Sequence, residues 1–424
     1  MADPSEITSK LTKLQPIGSA PELSSGTVAL FQHPDWNSPR FDVSINEYRE
    51  RIRHMLNRNA VDNTTWIAWN LPIGTVLTLS DHYREYDDSK SVGSLDGLGG
   101  TVDLVGTGGT ESTDLRNCGM NDIVAAFFWR TVDLKYGAFE MFEHPDFTGI
   151  RTTIFLAEWA ANTRHHLPGW HMNDNMTSVR WRGLTDRQAV TLYEHPEGGR
   201  TYDRLLGYGN TKEERYLPDV DFDDKVSAFS WTPVIPMKEV LEPIEFKINN
   251  SGAQTISSKA QYRNTSGTEQ KFTPTLERTL GQSFEVSSMD QHVAKVTTTL
   301  SQSASVGVPG VADFETTFSL ELGYEYTKST TKTTGQTTET KMTYSQEVTA
   351  QPGGITTATM LVTISNVPKT QAQTWATRWY KEPITGAERD DSNNGWYRRV
   401  EPAWIVMEGG LASTVGITVD FQKF

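Results

Sequence analysis

Two short loops hold the side chains best suited to chemistry: Asn173-Asp174-Asn175-Met176-Thr177-Ser178 and Asp223-Asp224-Lys225-Val226-Ser227-Ala228. Each offers carboxylate or amide, main-chain carbonyl and hydroxyl oxygens in sequence, the hard donors that Ca²⁺ gathers about six to eight at a time. Acid-rich turns also start and cap strands with no ion bound, so calcium is one of two readings. Two similar stretches are weaker: Val61-Asp62-Asn63-Thr64-Thr65-Trp66 lacks the leading acid or amide, and Asn121-Asp122-Ile123-Val124-Ala125-Ala126 lacks the hydroxyl. Other chemistry finds little support. The motif histidines His33, His144 and His195 fall singly in separate turns, and no zinc-spaced set, phosphate-cradling glycine loop or nucleophile elbow is present, which argues against an enzyme. The one cysteine, Cys118, excludes an internal disulfide; it is either a small buried hydrophobe or a redox or intermolecular thiol.

A second pattern runs from Ser305 to Thr327. From residue 314 the even positions are Phe314, Thr316, Phe318, Leu320, Leu322, Tyr324 and Tyr326, while the odd ones include Asp313, Glu315, Glu321 and Glu325. The preceding run keeps the register, with Leu300, Ala304, Val306 and Val308 even and Thr297, Thr299, Ser301, Ser303 and Ser305 odd. Folded about Pro309-Gly310, with Val311 at the apolar tip, residues 293–326 form a hairpin with one apolar and one polar face. Each arm exceeds the ~9–11 residues with which a tilted strand crosses a bilayer, and strands cross lipid only in a closed barrel whose residues alternate between lipid and lumen. On that reading Leu300, Ala304, Val306, Val308, Pro309, Val311, Phe314, Phe318, Leu320 and Leu322 enter lipid. Asp313, Glu315, Glu321 and Glu325 then line the lumen and select cations, as rings of carboxylates do. An ordinary amphipathic hairpin lying on a soluble core shows the same alternation.

The elements that must position these groups announce themselves as repeats. Phe31-Gln32-His33-Pro34-Asp35, Phe142-Glu143-His144-Pro145-Asp146 and Tyr193-Glu194-His195-Pro196-Glu197 are one motif written three times. A matching end signal closes at Trp69, Trp129, Trp181 and Trp231, so the stretch Gly74 to Trp129 counts as a fourth unit although it lacks the His-Pro motif. Short strands with dense Gly, Asn, Asp and Pro turns read as antiparallel all-β structure, with the tryptophans as core anchors. Four units pair into domains at 27–132 and 133–233, after a polar tail over 1–26. Beyond a Pro-punctuated linker at 234–243, residues 244–424 become Thr/Ser-rich, with strands such as Thr337 to Ala350 and Ile355 to Val367 that outrun the usual ~5–6 residues. The net charge of −14 argues against nucleic acid and suits cations. No stretch reaches the ~20 apolar residues of a membrane-spanning helix, and no signal peptide is visible as the chain is written.

Phe142-Glu143-x-x-x-Phe147-x-Gly149 resembles the hairpin signature of the βγ-crystallin Greek key, and Asn173 to Ser178 matches that family's calcium motif. The Ser/Thr strand, apolar tip, second strand and "TKSTTKTTGQTTET" order resembles the insertion region of aerolysin-type β-pore-forming proteins. End to end the chain resembles the amphibian βγ-crystallin-fused aerolysin-like proteins of skin and epidermis. That resemblance implies an all-β fold of two Greek-key domains and an elongated pore-forming module. It implies a host-defence toxin or ion channel that is secreted without a recognisable leader, or stored in the cytoplasm, then binds a lipid membrane and homo-oligomerises. A trefoil-factor-type partner subunit belongs to some relatives. For calcium, it implies side-chain oxygen from Asn173 and Asp174, the carbonyl of Asn175, the hydroxyl of Thr177 and a structural Ser178, with Asp223, Asp224, Lys225 and Ser227 in the corresponding places. The rival function is a non-enzymatic calcium-binding structural or interaction protein of epithelium.

Overall fold

The computed structural model describes residues 4–242, 253–288, 299–307, 317–325, 334–345 and 347–424. Apart from one short helix, α1 (Pro4–Lys10), and a few 3₁₀ turns, the described chain is built from antiparallel strands. It divides into two compact units, Met1–Ile235 with Pro383–Thr385, and Pro236–Glu382 with Gly386–Phe424.

The first unit repeats one four-stranded pattern four times. The first repeat supplies β1 (Thr27–Phe31), β2 (Arg40–Ser44), β3 (His54–Met55) and β4 (Trp66–Asn70). The second supplies β5 (Thr75–Ser80), β6 (Thr101–Val105), β7 (Thr110–Asp114) and β8 (Ala126–Thr131). The third has β9 (Ala138–His144), β10 (Thr148–Phe155), β11 (Arg164–His166) and β12 (Ser178–Arg180), and the fourth has β13 (Gln188–His195), β14 (Gly198–Leu206), β15 (Glu213–Glu214) and β16 (Ala228–Pro233). The sheet orders are β2-β1-β4-β7 and β3-β8-β5-β6, then β10-β9-β12-β15 and β11-β16-β13-β14. In every repeat the fourth strand lies beside the first, and the third crosses to the partner sheet. This is a Greek-key connection with an exchanged strand.

Burial in this unit goes beyond alternation: β13 buries every second residue, Gln188, Val190 and Leu192, whereas all six residues of β5 are buried. Strands with one buried face send their aliphatic residues inward, and Trp69, Trp181 and Trp231 are buried while Trp129 is half-buried. Three of the four indole N–H groups are used: Trp69 Nε1 donates to the Val105 carbonyl (3.1 Å), Trp129 to Tyr48 (3.0 Å) and Trp231 to Trp159 (2.9 Å), while that of Trp181 is buried with no hydrogen-bond partner among the described residues. The two halves are tied by buried charge. Arg130 donates to Glu158 at 2.5 Å, and the Thr153 amide donates to Asp103 Oδ2 at 3.2 Å. Burial pushes the Glu158 carboxyl upward, against the pull of the Arg130 charge.

Residues 4–26 of the expected polar tail pack against the body. Ile7 (0% exposed), Leu11 (8%) and Leu23 (5%) are buried, and Ile7 and Leu11 join Val76, Val132, Leu134, Ala138 and Phe155 in one cluster drawn from both halves. The segment reads as polar because its apolar residues are few and widely spaced, yet each has a pocket to fill.

The second unit holds β17 (Lys238–Leu241), β18 (Ala253–Asn264), β19 (Gln270–Phe272), β20 (Thr275–Ser288), β21 (Thr299–Gly307), β22 (Thr317–Glu325), β23 (Thr334–Ser345), β24 (Val348–Ala350), β25 (Gly354–Tyr380), β26 (Glu388–Asp390) and β27 (Trp396–Lys423). Its main sheet runs β17-β25-β27-β20-β23, with β18 also on β25 and β26 on β27. Strand β25 is 27 residues long, about 90 Å at the rise of a β-strand. The sequence pattern suggested a shorter strand there, ending at Val367. The structure continues through Pro368 by shifting register between Val367 and Thr370, which accommodates a residue with no N–H to give the ladder. The expected run Thr337 to Ala350 divides instead into β23 and β24, and β24 leaves the long sheet to pair with β19.

Candidate functional sites: paired loops and an amphipathic hairpin

The four acid-rich loops share one backbone design. Their second residues, Asp62, Asp122, Asp174 and Asp224, all adopt left-handed φ of 52°, 54°, 52° and 46°, a conformation that Asp and Asn tolerate better than most residues. The loops then bond reciprocally across each pair of repeats. Asp62 N–H donates to the Val124 carbonyl (3.0 Å) and Asp122 N–H to Thr64 (3.1 Å); Asp174 N–H donates to Val226 (2.9 Å) and Asp224 N–H to Met176 (3.2 Å). The fifth residue of each loop sends its N–H to a carbonyl at the end of a first strand: Thr65 to Phe31, Ala125 to Ser80, Thr177 to Phe142 and Ser227 to Tyr193.

That last correspondence uncovers what the sequence reading missed. Ser80 occupies the place of Phe31, Phe142 and Tyr193, so Asp81-His82-Tyr83 is the second repeat's form of the His-Pro motif. His82 stands where His33, His144 and His195 stand, and Asp81 lies 2.9 Å from its Nδ1. All four histidines are exposed, His33 and His82 in bends and His144 and His195 as the last residues of β9 and β13. Among the described residues no group of three or more His, Cys, Asp and Glu side chains is disposed to hold a metal, so any ion here must also use amide, hydroxyl or carbonyl oxygen.

The second pair of loops carries such oxygens. Ser227 Oγ donates to Asp174 Oδ1 (2.9 Å) and Asn173 Nδ2 donates to Asp174 Oδ2 (2.8 Å). Asn173 Oδ1 and Asp223 Oδ1 are buried with no hydrogen-bond partner among the described residues, an expensive state for polar oxygen. Burial, followed by the Asp223 and Asp174 charges, raises the Asp224 carboxyl. The Lys225 ammonium turns away to Asp221 Oδ1 at 2.7 Å, so only its carbonyl is left to serve the loop. Ser178 Oγ donates to the His144 carbonyl (2.6 Å) and accepts from Phe147 N–H (3.1 Å), closing the hairpin arch. Thr177 is half-buried beside it. In the first half, Asn121 Oδ1 is likewise buried without a partner, while the Thr65 hydroxyl is spent on the Gln32 carbonyl (3.0 Å).

In the second unit, β21 and β22 pair antiparallel: Thr299↔Glu325, Leu300↔Tyr324, Ser301↔Gly323, Gln302↔Leu322, Ser303↔Glu321, Ala304↔Leu320, Ser305↔Ser319, Val306↔Phe318 and Gly307↔Thr317. Even residues oppose even and odd oppose odd. Directly opposed residues share a face of the ribbon, so Leu300, Ala304, Val306, Phe318, Leu320 and Leu322 fall in one row and Glu321 and Glu325 in the other. The pairing is symmetric about position 312, not about Pro309-Gly310. A tight turn at Pro309-Gly310 would pair even with odd and scramble the faces. Val308, Pro309, Val311, Asp313, Phe314 and Glu315 lie outside the described residues.

The fold places two further residues, and for Cys118 it favours the first of its two readings, a small buried hydrophobe. Cys118 is 3% exposed, donates weakly to the Leu115 carbonyl, and burial pushes its thiol up to about 11. A thiol so protonated and covered is not a redox handle. Asn264, in one of four glycosylation sequons (with Asn63, Asn175 and Asn249), is 2% exposed and gives its amide to Thr268 and Ala350 carbonyls; the fold leaves no room there for a glycan. Among the aromatic and arginine residues of β25 and β27, burial does not follow simple alternation, since Arg378, Trp379 and Tyr380 are all buried. Trp375 (48% exposed) and Trp404 (45%) face out. Arg378, 1% exposed, donates to Glu239 (2.5 Å) and Glu401 (2.6 Å), and Tyr380 joins Glu401 at 2.6 Å.

No family model matches this chain, and no curated protein matches it. Among solved structures, the lamprey immune protein is similar at a TM-score of 0.28 and 12% identity, covering 82% of this chain and 91% of that one. Parasporin-2 of Bacillus thuringiensis gives 0.21 and 13%, covering 57% and 87%. An aerolysin-like protein of Bombina maxima gives 0.17 and 9%, covering 41% and 90%. No described helix is long and apolar enough to cross a membrane, which says nothing of strands.

Proposed function

We propose that this chain is a membrane pore-forming protein that assembles with copies of itself and crosses lipid with its β21–β22 hairpin. The observation that carries the reading is the even-with-even register of that hairpin. It brings the apolar positions of both arms into one row and the Ser, Thr and Glu positions into the other, as a lipid-facing and lumen-facing strand pair requires. Nine paired residues per arm match the span of a tilted transmembrane strand, about 9–11 residues. A single hairpin cannot satisfy its own edges in lipid, so insertion demands that several protomers close a barrel. Lumen carboxylates Glu321 and Glu325 then favour cations.

The first unit serves as the regulatory or targeting part. Calcium fits its second loop pair: Asn173 and Asp223 offer buried, unpartnered oxygens, and Asp174, Asp224, Ser227 and the Asn175, Thr177 and Lys225 positions supply further donors. A bound Ca²⁺ would neutralise the crowded carboxylates Asp174, Asp223 and Asp224. The protein's own contribution is the left-handed turn and reciprocal bonds that hold the two loops together. A trefoil-factor-type partner is no part of this reading. The experiment is release of a trapped dye from lipid vesicles, with a search for SDS-resistant oligomers. Release with oligomers is expected. No release at any calcium level, with the chain folded, favours the rival reading as a calcium-binding interaction protein.

A further inference from the structure

The strap formed by residues 4–23 is held in an unusual way. Its helix end inserts Ile7 and Leu11 into the cluster shared by the two halves of the first unit. Thr12 then meets a built polar site: its N–H donates to both oxygens of Glu140 (3.1 and 3.0 Å), its hydroxyl donates to Glu140 Oε2 (2.8 Å), Arg180 donates to that hydroxyl (2.7 Å), and Arg151 donates to its carbonyl. Glu140 is 2% exposed and Arg151 6%. Further along, Thr113 donates to the Gln15 carbonyl (2.9 Å), Ser112 to Ile17 (3.0 Å), Trp36 to Gly18 (2.8 Å) and Asn70 to Leu23 (2.8 Å).

Apart from the two at the Thr12 hydroxyl, these bonds join side chains of the body to the strap's main chain. Such contacts read an extended peptide, and they can be released without opening a sheet. They also leave a demand behind. With the strap gone, Glu140 loses three hydrogen bonds and keeps Arg151 at 3.7 Å, and a buried carboxylate stripped of partners is costly. A cavity of about 240 Å³ lies between the strap's Leu11, Thr12 and Leu14 and the body's Trp69, Val105 and Glu140, so the strap does not fill the groove.

We propose that the groove is a peptide-binding site, read by Glu140, Arg151, Thr113 and Ser112, and that residues 4–23 are its detachable ligand in cis. A second copy of this chain, presenting the same segment, is the occupant in trans. The pattern recognised is an apolar residue, three positions, a second apolar residue and then Thr, as in Ile7, Leu11 and Thr12. The proposal does not depend on pore formation.

The test uses the otherwise full chain lacking residues 1–24 and a fluorescent synthetic peptide of residues 4–24, read by anisotropy. The shortened chain should bind the peptide saturably, the intact chain at least tenfold more weakly because its groove is filled, and a peptide carrying Thr12→Val at least tenfold more weakly than the wild-type peptide. A folded shortened chain that ignores the peptide, or that binds the Thr12→Val peptide equally, overturns the proposal. Should the shortened chain fail to fold, a protease site introduced at the exposed Gly18-Ser19 gives a nicked protein that starts folded. Exchange of its cut strap for labelled peptide supports the proposal, and retention of the cut strap against excess peptide overturns it.

Discussion

Ser227 Oγ donates to Asp174 Oδ1 across 2.9 Å, joining loops from two different repeats. The same pair of loops is cross-bonded by Asp174 N–H to Val226 and Asp224 N–H to Met176. A cation seated among these oxygens therefore acts on the packing of one repeat against the next. We expect millimolar Ca²⁺ to raise the melting temperature of the first unit in the full chain, the stabilisation amounting to about 2.7 kcal/mol when calcium stands at 100 times its Kd. Calorimetry checks this. Thr177→Val and Ser227→Ala should each reduce the rise, and an unchanged melting curve with Ca²⁺ contradicts the site.

Cys118 gives a pH-dependent expectation. Its thiol is held near 11, above the ordinary 9.0, because burial opposes the thiolate. The folded protein thus keeps a proton that the unfolded chain gives up first, so this group's stabilising contribution is complete below pH 9 and fades as the pH rises toward 11. At pH 8 a thiol reagent should modify the native protein no faster than global opening allows, and the denatured protein at once. Rapid native labelling contradicts the assignment.

In the second unit, Arg378 is the buried counter-charge for Glu239 and Glu401. Arg378→Ala takes the guanidinium from Glu239 and leaves Glu401 to Arg399 and Tyr380, and breaking a buried pair from one side costs about 3–5 kcal/mol. The loss should appear as a lowered denaturation midpoint of the second unit. An effect on the scale of an exposed ion pair, about 0–1 kcal/mol, contradicts the buried role.

A charge in the apolar row of the hairpin should block insertion. Leu320→Arg places a guanidinium at the lipid-facing row, at about 2–4 kcal/mol per strand near the midplane. Vesicle leakage should fall by at least tenfold while the soluble protein keeps its circular dichroism. Ser303→Arg, in the opposite row, should leave leakage intact and shift selectivity away from cations.

The repeats were legible because duplication preserved whole motifs: Phe142 to Asp146 and Tyr193 to Glu197 needed no structure to be matched. The degenerate copy at Ser80 to Tyr83 was not, since its aromatic and proline are both gone and only the backbone bond from Ala125 restores the alignment. Alternation exposed the two rows of the hairpin, but not its midpoint, because Gly307, Pro309 and Gly310 offer several turns and only pairing chooses among them. The strap escaped notice for a different reason. Its grip depends on Glu140, Arg151 and Ser112, contacts made from far along the chain, and no local pattern in residues 4–23 signals them.

The central claim is that even and odd residues of β22 meet lipid and water respectively. Single cysteines placed in turn at Phe318, Ser319, Leu320, Glu321 and Leu322, in a Cys118→Ser background, can carry a polarity-sensitive dye and be read after addition to vesicles. The account predicts an alternating pattern, with blue-shifted, lipid-quenched emission at 318, 320 and 322 and water-like emission at 319 and 321. Uniform emission along the strand, in a preparation that releases trapped dye, would contradict it.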